Sequence, residues 1–204
     1  MGRANRKDYF RVTEALSAIH TGLNEFRERG GEHAEFVIAE KGFYGTQVHS
    51  LCDAYNKSRI AKAPMPEIEE DKLFPDAIKT YHRYIEWVKK NVVRIMKSEL
   101  TVYNDEYRYW GHLDQVMLMK GDGLPSVIDL KTPLQASPTW DPQIEAYRRA
   151  YESMNKKNKT GRGFALKLAP DKPPRVCESG LSRDRAFALF LYALNWKNYM
   201  TKGA

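Results

Sequence analysis

Residues 128–132 read Ile128-Asp129-Leu130-Lys131-Thr132, and Asp114 stands fifteen positions before Asp129, in Gly111-His112-Leu113-Asp114. Alternation along a strand puts Asp129 and Lys131 on one face. An acidic residue on one strand and an Asp-x-Lys on the next is a compact way to hold a divalent cation beside an ammonium group. Hard cations such as Mg2+ take carboxylate oxygens and keep positions open for water and phosphate. A neighbouring Lys can orient a nucleophilic water or neutralise charge on a phosphoryl group. These parts suit hydrolysis of a phosphodiester.

The spacing needs a hairpin, and the surrounding residues supply one. Residues 107–119 are rich in aromatic and apolar side chains, Gly121-Asp122-Gly123 is a strong turn signal, and residues 124–130 read as the returning strand with Val127 and Ile128 at its centre. An earlier strand over residues 98–103 ends at Asn104-Asp105 and carries Glu99. Three antiparallel strands are thus expected to bring Glu99, Asp114, Asp129 and Lys131 to one region of a sheet. Any one of these carboxylates is more often an ordinary surface charge, but the set is harder to dismiss. Asp129 follows Val-Ile and precedes Leu, so a charge in that apolar stretch needs a partner or a metal.

With these residues in place, the chain resembles the PD-(D/E)xK nucleases, in particular small phage-encoded members of the RecB-like exonuclease branch. Five stretches carry the likeness, in the family's order. Gly45-Thr46-Gln47-Val48-His49 resembles its Gly-x-x-x-His, and Glu99 falls where the family has an acidic residue on the first strand. Gly111 to Asp114 resembles its Gly-x-x-Asp, Asp129-Leu130-Lys131-Thr132 its Asp-x-Lys-Thr, and Gln143-Ile144-Glu145-Ala146-Tyr147 its Gln-x-x-x-Tyr. Together they span about half the chain, and the opening residues 9–16 are similar as well. Two departures stand out: Leu113 replaces the proline of the family name, and His112 stands in the Gly-x-x-Asp stretch. Alternation is taken to turn His112 away from the Asp, so it is not assigned as a ligand.

The resemblance implies an α/β fold with a restriction-endonuclease-like core, a central mixed β-sheet flanked by helices. It implies Mg2+ or Mn2+ held by Asp114 and Asp129, with Glu99, His49 and the Leu130 carbonyl completing the site. Lys131 would position the water and stabilise developing charge, and Gln143 and Tyr147 would hold Lys131 or the scissile strand. The implied activity is exonucleolytic cleavage of DNA ends, in phage recombination or DNA processing in a bacterial cytoplasm. A homo-oligomer or a recombination partner protein is left open. So are two other readings on the same fold: a catalytically silent DNA-binding module, and an enzyme of another habit, such as a structure-selective endonuclease or an RNase.

Composition bounds these readings. A length of 204 residues is enough for one domain with a substantial core, taken as residues 1–204 with the motif-bearing part at about 43–169. Apolar content of 42% with twelve Tyr excludes a disordered chain. No apolar run is long enough to span a membrane, and residues 1–7 have no apolar stretch behind them, so neither a membrane span nor a signal peptide is expected. Cys52 and Cys177 alone cannot build a disulfide framework, nor the four-cysteine iron–sulfur cluster of some relatives, and a reducing compartment is expected. There is no Walker A loop.

The charge is uneven. Residues 145–204 hold 13 Lys and Arg against 5 Asp and Glu, so the net charge of +7 comes entirely from that part. Arg148, beside Tyr147, and the cluster of Lys156, Lys157 and Lys159 are candidates for contact with a nucleic-acid backbone. For the lysines, a solvated helix end is an equal reading. The remaining segments read as scaffold. Thr13 is placed to cap a short helix, residues 44–59 form a helix after a break at Gly42, and residues 71–93 form a long amphipathic helix. Residues 138–155 form the helix that carries Gln143 and Tyr147 on one face, residues 164–168 and 174–177 pair as strands, and residues 183–199 form the last helix.

Overall fold

In the computed structural model, residues 6–19, 22–132 and 136–202 are described; residues 1–5, part of the segment scanned for a signal peptide, lie outside them. The predicted hairpin is the centre of the molecule. Strand β2 (Val92–Asn104) runs antiparallel to β3 (Tyr109–Met119), which returns antiparallel into β4 (Ser126–Lys131) through a turn at Gly121, whose φ of 84° suits glycine. Two further strands extend the sheet: β5 (Gly163–Ala169) lies parallel to β4, and β6 (Lys172–Glu178) is antiparallel to β5. A two-residue strand, β1 (Phe10–Arg11), pairs in parallel with Tyr109 and Trp110. The result is a mixed six-stranded sheet.

Helices cover both faces. On one side α1 (Val12–Ser17), α4 (Trp140–Met154) and α5 (Arg183–Lys202) bury Val12, Leu16, Ile144, Tyr147 and Phe190 against Val102, Leu113, Val116 and Val127 of the sheet. On the other, α2 (Gly22–Ala61) and α3 (Pro75–Asn91) bury Val48, Cys52, Tyr55, Tyr81 and Tyr84 against Met117, Ile128, Leu130 and Leu166. The α/β class with a mixed sheet between helices is therefore as expected. No helix among the described residues is long and apolar enough to cross a membrane.

Several local expectations are corrected. The helix break lies not at Gly42 but at Gly31, whose φ of 51° and ψ of −138° no helix accommodates; Gly42 stays helical, and Thr46 Oγ1 donates to its carbonyl at 2.9 Å. Thr13 is not a cap, because α1 begins one residue earlier with Arg11 at the N-cap. Helix α3 starts at Pro75, where a missing amide is harmless, and β2 begins directly after its last residue.

One irregularity controls the geometry. Glu99, in the middle of β2, has φ of 48°, in the left-handed region that costs an ordinary residue about 1–2 kcal/mol. Leu100 packs against the α1–α4–α5 side, whereas Ser98 bonds to α2. Positions two apart should share a face, so the strand changes face at Glu99. Strand β3 does the same opposite it. Leu113 belongs to the α1–α4–α5 cluster, while Gln115 pairs with Ile128 of the other cluster. Glu99 and Asp114 are therefore the two residues at which both strands swap sides.

This backbone predicts an inversion of the usual order of strand substitutions. Both Glu99→Gly and Glu99→Ala remove the carboxylate, but only Gly relieves the left-handed strain. Glycine's normal penalty of about 0.5–1 kcal/mol should be overturned, leaving Glu99→Gly more stable than Glu99→Ala by roughly 0.5–1 kcal/mol in urea denaturation. The ordinary order, with Ala ahead, would contradict a left-handed residue 99.

Candidate metal and nucleic-acid site

The five sequence stretches meet at one cleft of about 660 Å³, lined by residues of α1, α2, β2, β3, β4 and α4. Two glycines explain how they approach so closely. A Cβ on Gly45 would lie 3.0 Å from Thr132 Oγ1, so its absence lets α2 settle against the end of β4. A Cβ on Gly111 would lie 2.5 Å from Tyr147 Cε1, so the Tyr147 ring occupies the space that any other residue would fill.

Asp114 is buried where β3 and β4 part. Regular pairing reaches Gln115 opposite Ile128 and stops, and the next amide in line, Leu130 N–H, donates instead to Asp114 Oδ2 at 2.6 Å. His49 Nδ1 stands 3.7 Å from the same oxygen. Glu99 arrives from the other side, and one ligand atom each from His49, Glu99 and Asp114 lie within 4.8 Å of one another. Burial, and then the neighbouring Asp129, push the Asp114 carboxyl well above the usual range. Partial burial and Asp53 push Glu99 up as well. Desolvation draws the His49 pKa down, which keeps the imidazole neutral and its nitrogen able to ligate.

Asp129 does not join that three-residue group. It is held by the residues that sequence places beside it: Lys131 Nζ is 2.6 Å from Oδ2, and Gln143 Nε2 donates to Oδ1 at 3.4 Å. Lys131 also donates to Gln143 Oε1 at 3.1 Å, and Gln143 Nε2 reaches the Tyr147 hydroxyl at 3.2 Å. The Lys131 ammonium is the ion-pair partner of that buried Oδ2, which takes no regular hydrogen bond among the described residues. Gln143 thus grips both ends of the Asp-x-Lys pair from α4. The donor set fits a hard divalent cation: two carboxylates and a neutral imidazole converge, and the nearby Asp129 adds a buried oxygen that takes no regular hydrogen bond.

Two sequence expectations are revised. His112 does not face the far side of β3: residues two apart on a strand share a face, and it lines the same cleft as Asp114, with Nδ1 3.2 Å from Thr101 Oγ1. Arg148 is not offered to a ligand. It is buried, and its guanidinium is taken by Glu145 at 2.9 Å, Thr160 at 3.3 Å and the Gly161 carbonyl at 2.7 Å. Lys156, Lys157 and Lys159 are exposed beyond the C-terminal end of α4, about 10–15 Å along the helix from Tyr147 at the cleft.

Sequence reasoning missed Asp53, Lys57 and Arg11, all of which line the cleft. The first two were available from spacing: Gly45, His49, Asp53 and Lys57 recur every fourth residue on one face of α2. Arg11 depends on the short parallel strand β1, for which two residues carry no pattern. Its guanidinium lies 5.6 Å from the centre of the Trp110 ring.

Compared with known families, no family model matches the chain, and no curated protein matches it.

The raised Asp114 carboxyl gives a pH dependence with a definite sign. The folded protein retains a proton there that the unfolded chain releases in the ordinary carboxylate range. Stability is therefore greatest below that range and declines as pH rises through the raised value. Asp114→Asn keeps an oxygen for the Leu130 amide and removes the titration. In metal-free buffer it should exceed wild type in denaturant midpoint at mildly alkaline pH, with the gap closing as pH falls. A gap that does not vary with pH would show that Asp114 ionises normally.

Proposed function

We propose that this chain is a metal-dependent deoxyribonuclease of the PD-(D/E)xK type, on a restriction-endonuclease-like core, acting as an exonuclease of the RecB-like branch. One observation carries the reading: five stretches spread from Gly45 to Tyr147 touch one another in a single cleft through the residues that the family pattern names. A scaffold of amphipathic strands gives no reason for two glycines, three acids, a Lys and a Gln to coincide.

In this reading His49, Glu99, Asp114 and Asp129 would hold Mg2+ or Mn2+, with the Leu130 carbonyl at the same edge. The cation would supply Lewis acidity toward a phosphodiester and its attacking water. The remaining chemistry belongs to the chain. Lys131 is oriented by Asp129 and Gln143, so its ammonium is fixed at the cleft wall rather than sweeping through solvent. From there it would orient water and stabilise charge on the phosphoryl oxygens. Gln143 is the positioning group for that Lys, and Tyr147 fixes Gln143. Arg11 and Lys57 would add positive charge along the cleft for a DNA backbone. A place in phage recombination or DNA processing follows from the resemblance.

End-labelled linear DNA and closed circular DNA, incubated with Mg2+, Mn2+ or EDTA, test the proposal. An exonuclease degrades the linear form alone and stops in EDTA, attack on both forms identifies an endonuclease, and two intact substrates refute the enzymatic reading. Asp129→Ala should abolish cleavage. Lys131→Ala should slow it roughly 10²–10³-fold while keeping Mn2+ affinity, since the ammonium acts on the reacting oxygens and not on the cation. Calorimetric loss of Mn2+ binding in Lys131→Ala would make the Lys structural instead.

A further inference from the structure

Behind Glu99 lies a polar chain that the proposed chemistry does not use. Ser98 Oγ donates to Asp53 Oδ1 at 2.8 Å and accepts from Asn56 Nδ2 at 3.3 Å. Asn56 Oδ1 in turn accepts from the Tyr84 hydroxyl at 2.8 Å, and Asn56 and Tyr84 are fully buried. Lys57 holds the second oxygen of Asp53 at 2.6 Å. A polar chain from α3 through α2 to β2, set within the aromatic cluster of Tyr55, Tyr81 and Tyr84, fixes Ser98 to one side of the sheet. One residue past Glu99, Leu100 is fixed to the other side by apolar packing. Between two anchors on opposite faces, the residue at 99 has to absorb the face change, and its φ of 48° is where it does so.

We infer that Asp53, Asn56 and Ser98 are positioning residues: by pinning β2 to α2 they hold Glu99 in its left-handed conformation and so set its carboxylate beside His49 and Asp114. Without the Asp53 and Asn56 bonds to Ser98, β2 would be free to relax the left-handed turn at residue 99, changing the backbone direction from which the Glu99 carboxylate reaches the site. Glu99 would then leave the group in which the three ligand atoms lie within 4.8 Å. The inference rests on the proposed role of those three residues in holding a divalent cation, and it assigns to α2 a second task beyond supplying His49.

Ser98 is the clean probe, because it carries no charge and is not among the cleft-lining residues. Mn2+ affinity is measured by calorimetry without DNA, beside thermal melting, for wild type, Ser98→Ala, Glu99→Ala and the double variant. The expected result is a loss of about 10–100-fold in Ser98→Ala, typical of groups that orient a metal ligand. That loss should vanish once Glu99 is already Ala, because Ser98 acts through it. Wild-type affinity in Ser98→Ala overturns the inference. An equal loss in the Glu99→Ala background also overturns it, by showing general damage to the site. Absence of Mn2+ binding by wild type overturns the metal reading itself, and this inference with it. If Ser98→Ala does not fold, Ser98→Cys keeps the volume and weakens the hydrogen bonds, and its affinity is judged by the same criteria.

Discussion

Two carboxylates, Asp114 and Asp129, lie buried side by side where β3 and β4 part. An isolated carboxylate in such a place would give up its charge, and two together would repel. The surrounding architecture follows from how each is accommodated. Asp114 takes the Leu130 amide, so the ladder that would have set Leu113 opposite Leu130 is cut short and the strands open into a cleft. Asp129 takes Lys131 from its own strand and Gln143 from α4, so the start of α4 has to sit over the end of β4. Seating α4 there pushes the Tyr147 ring against Gly111, and seating α2 on the other side brings Gly45 against Thr132. The two glycines are thus consequences of where the acids lie.

This explains which parts of the molecule could be read in the residues. The meander of β2, β3 and β4 is written in alternation and turn residues: β3 and β4 fall within two positions of where those signals put them, whereas β2 begins at Val92, six residues before the expected strand. The approach of α4 was legible as a Gln and a Tyr four residues apart on one helical face. The left-handed Glu99 was not legible, because nothing local favours it. It arises from two tertiary anchors on opposite faces, and Glu is not a residue that signals positive φ. His112 follows ordinary alternation, which sets residues two apart on one face and so puts it beside Asp114. Helix α2 ran through Gly42 because a glycine inside a helix weakens it by only about 1 kcal/mol, which packing against α3 and the sheet offsets. Gly31 does break the helix, and composition does not tell the two glycines apart.

Net charge was the least transferable signal. The C-terminal part is strongly basic, yet much of that charge is committed internally. Glu145, buried on α4, receives Arg148, Arg149 and Arg183 at 2.9–3.0 Å, and Arg183 also reaches Glu152 at 2.8 Å. This network ties α5 to α4 across the core and makes Arg148 a structural cation. Gly163 opposite has to lack a Cβ, since one there would meet Arg148 Cδ at 2.4 Å. Arg162 is divided between Asp122 and Glu178. A count of Lys and Arg cannot separate cations that face an acidic ligand from cations that satisfy buried acids of the same chain. The cleft itself carries few cations, among them Arg11, Lys57 and Lys131, arranged around its carboxylates.

Three unfavourable features meet in the cleft: a left-handed Glu, an Asp whose ionisation burial opposes, and a buried carboxylate oxygen met by an ion pair but no regular hydrogen bond. Others lie outside it: Lys62 and Arg108 also have positive φ, and the Tyr81 hydroxyl and Gln115 Oε1 are buried without a hydrogen bond among the described residues. A group that binds the folded chain and not the unfolded one adds its binding free energy to stability. A cation drawn to these oxygens would therefore offset the repulsion and burial of the acids. It would not offset the strain at Glu99, which is a property of the backbone and persists in either state. That strain has to be met by contacts that do not change on binding, and the polar chain from Tyr84 to Ser98 together with the packing of Leu100 are contacts of that kind. The division is physically necessary. A ligand atom that must be in place before the cation arrives cannot depend on the cation to put it there.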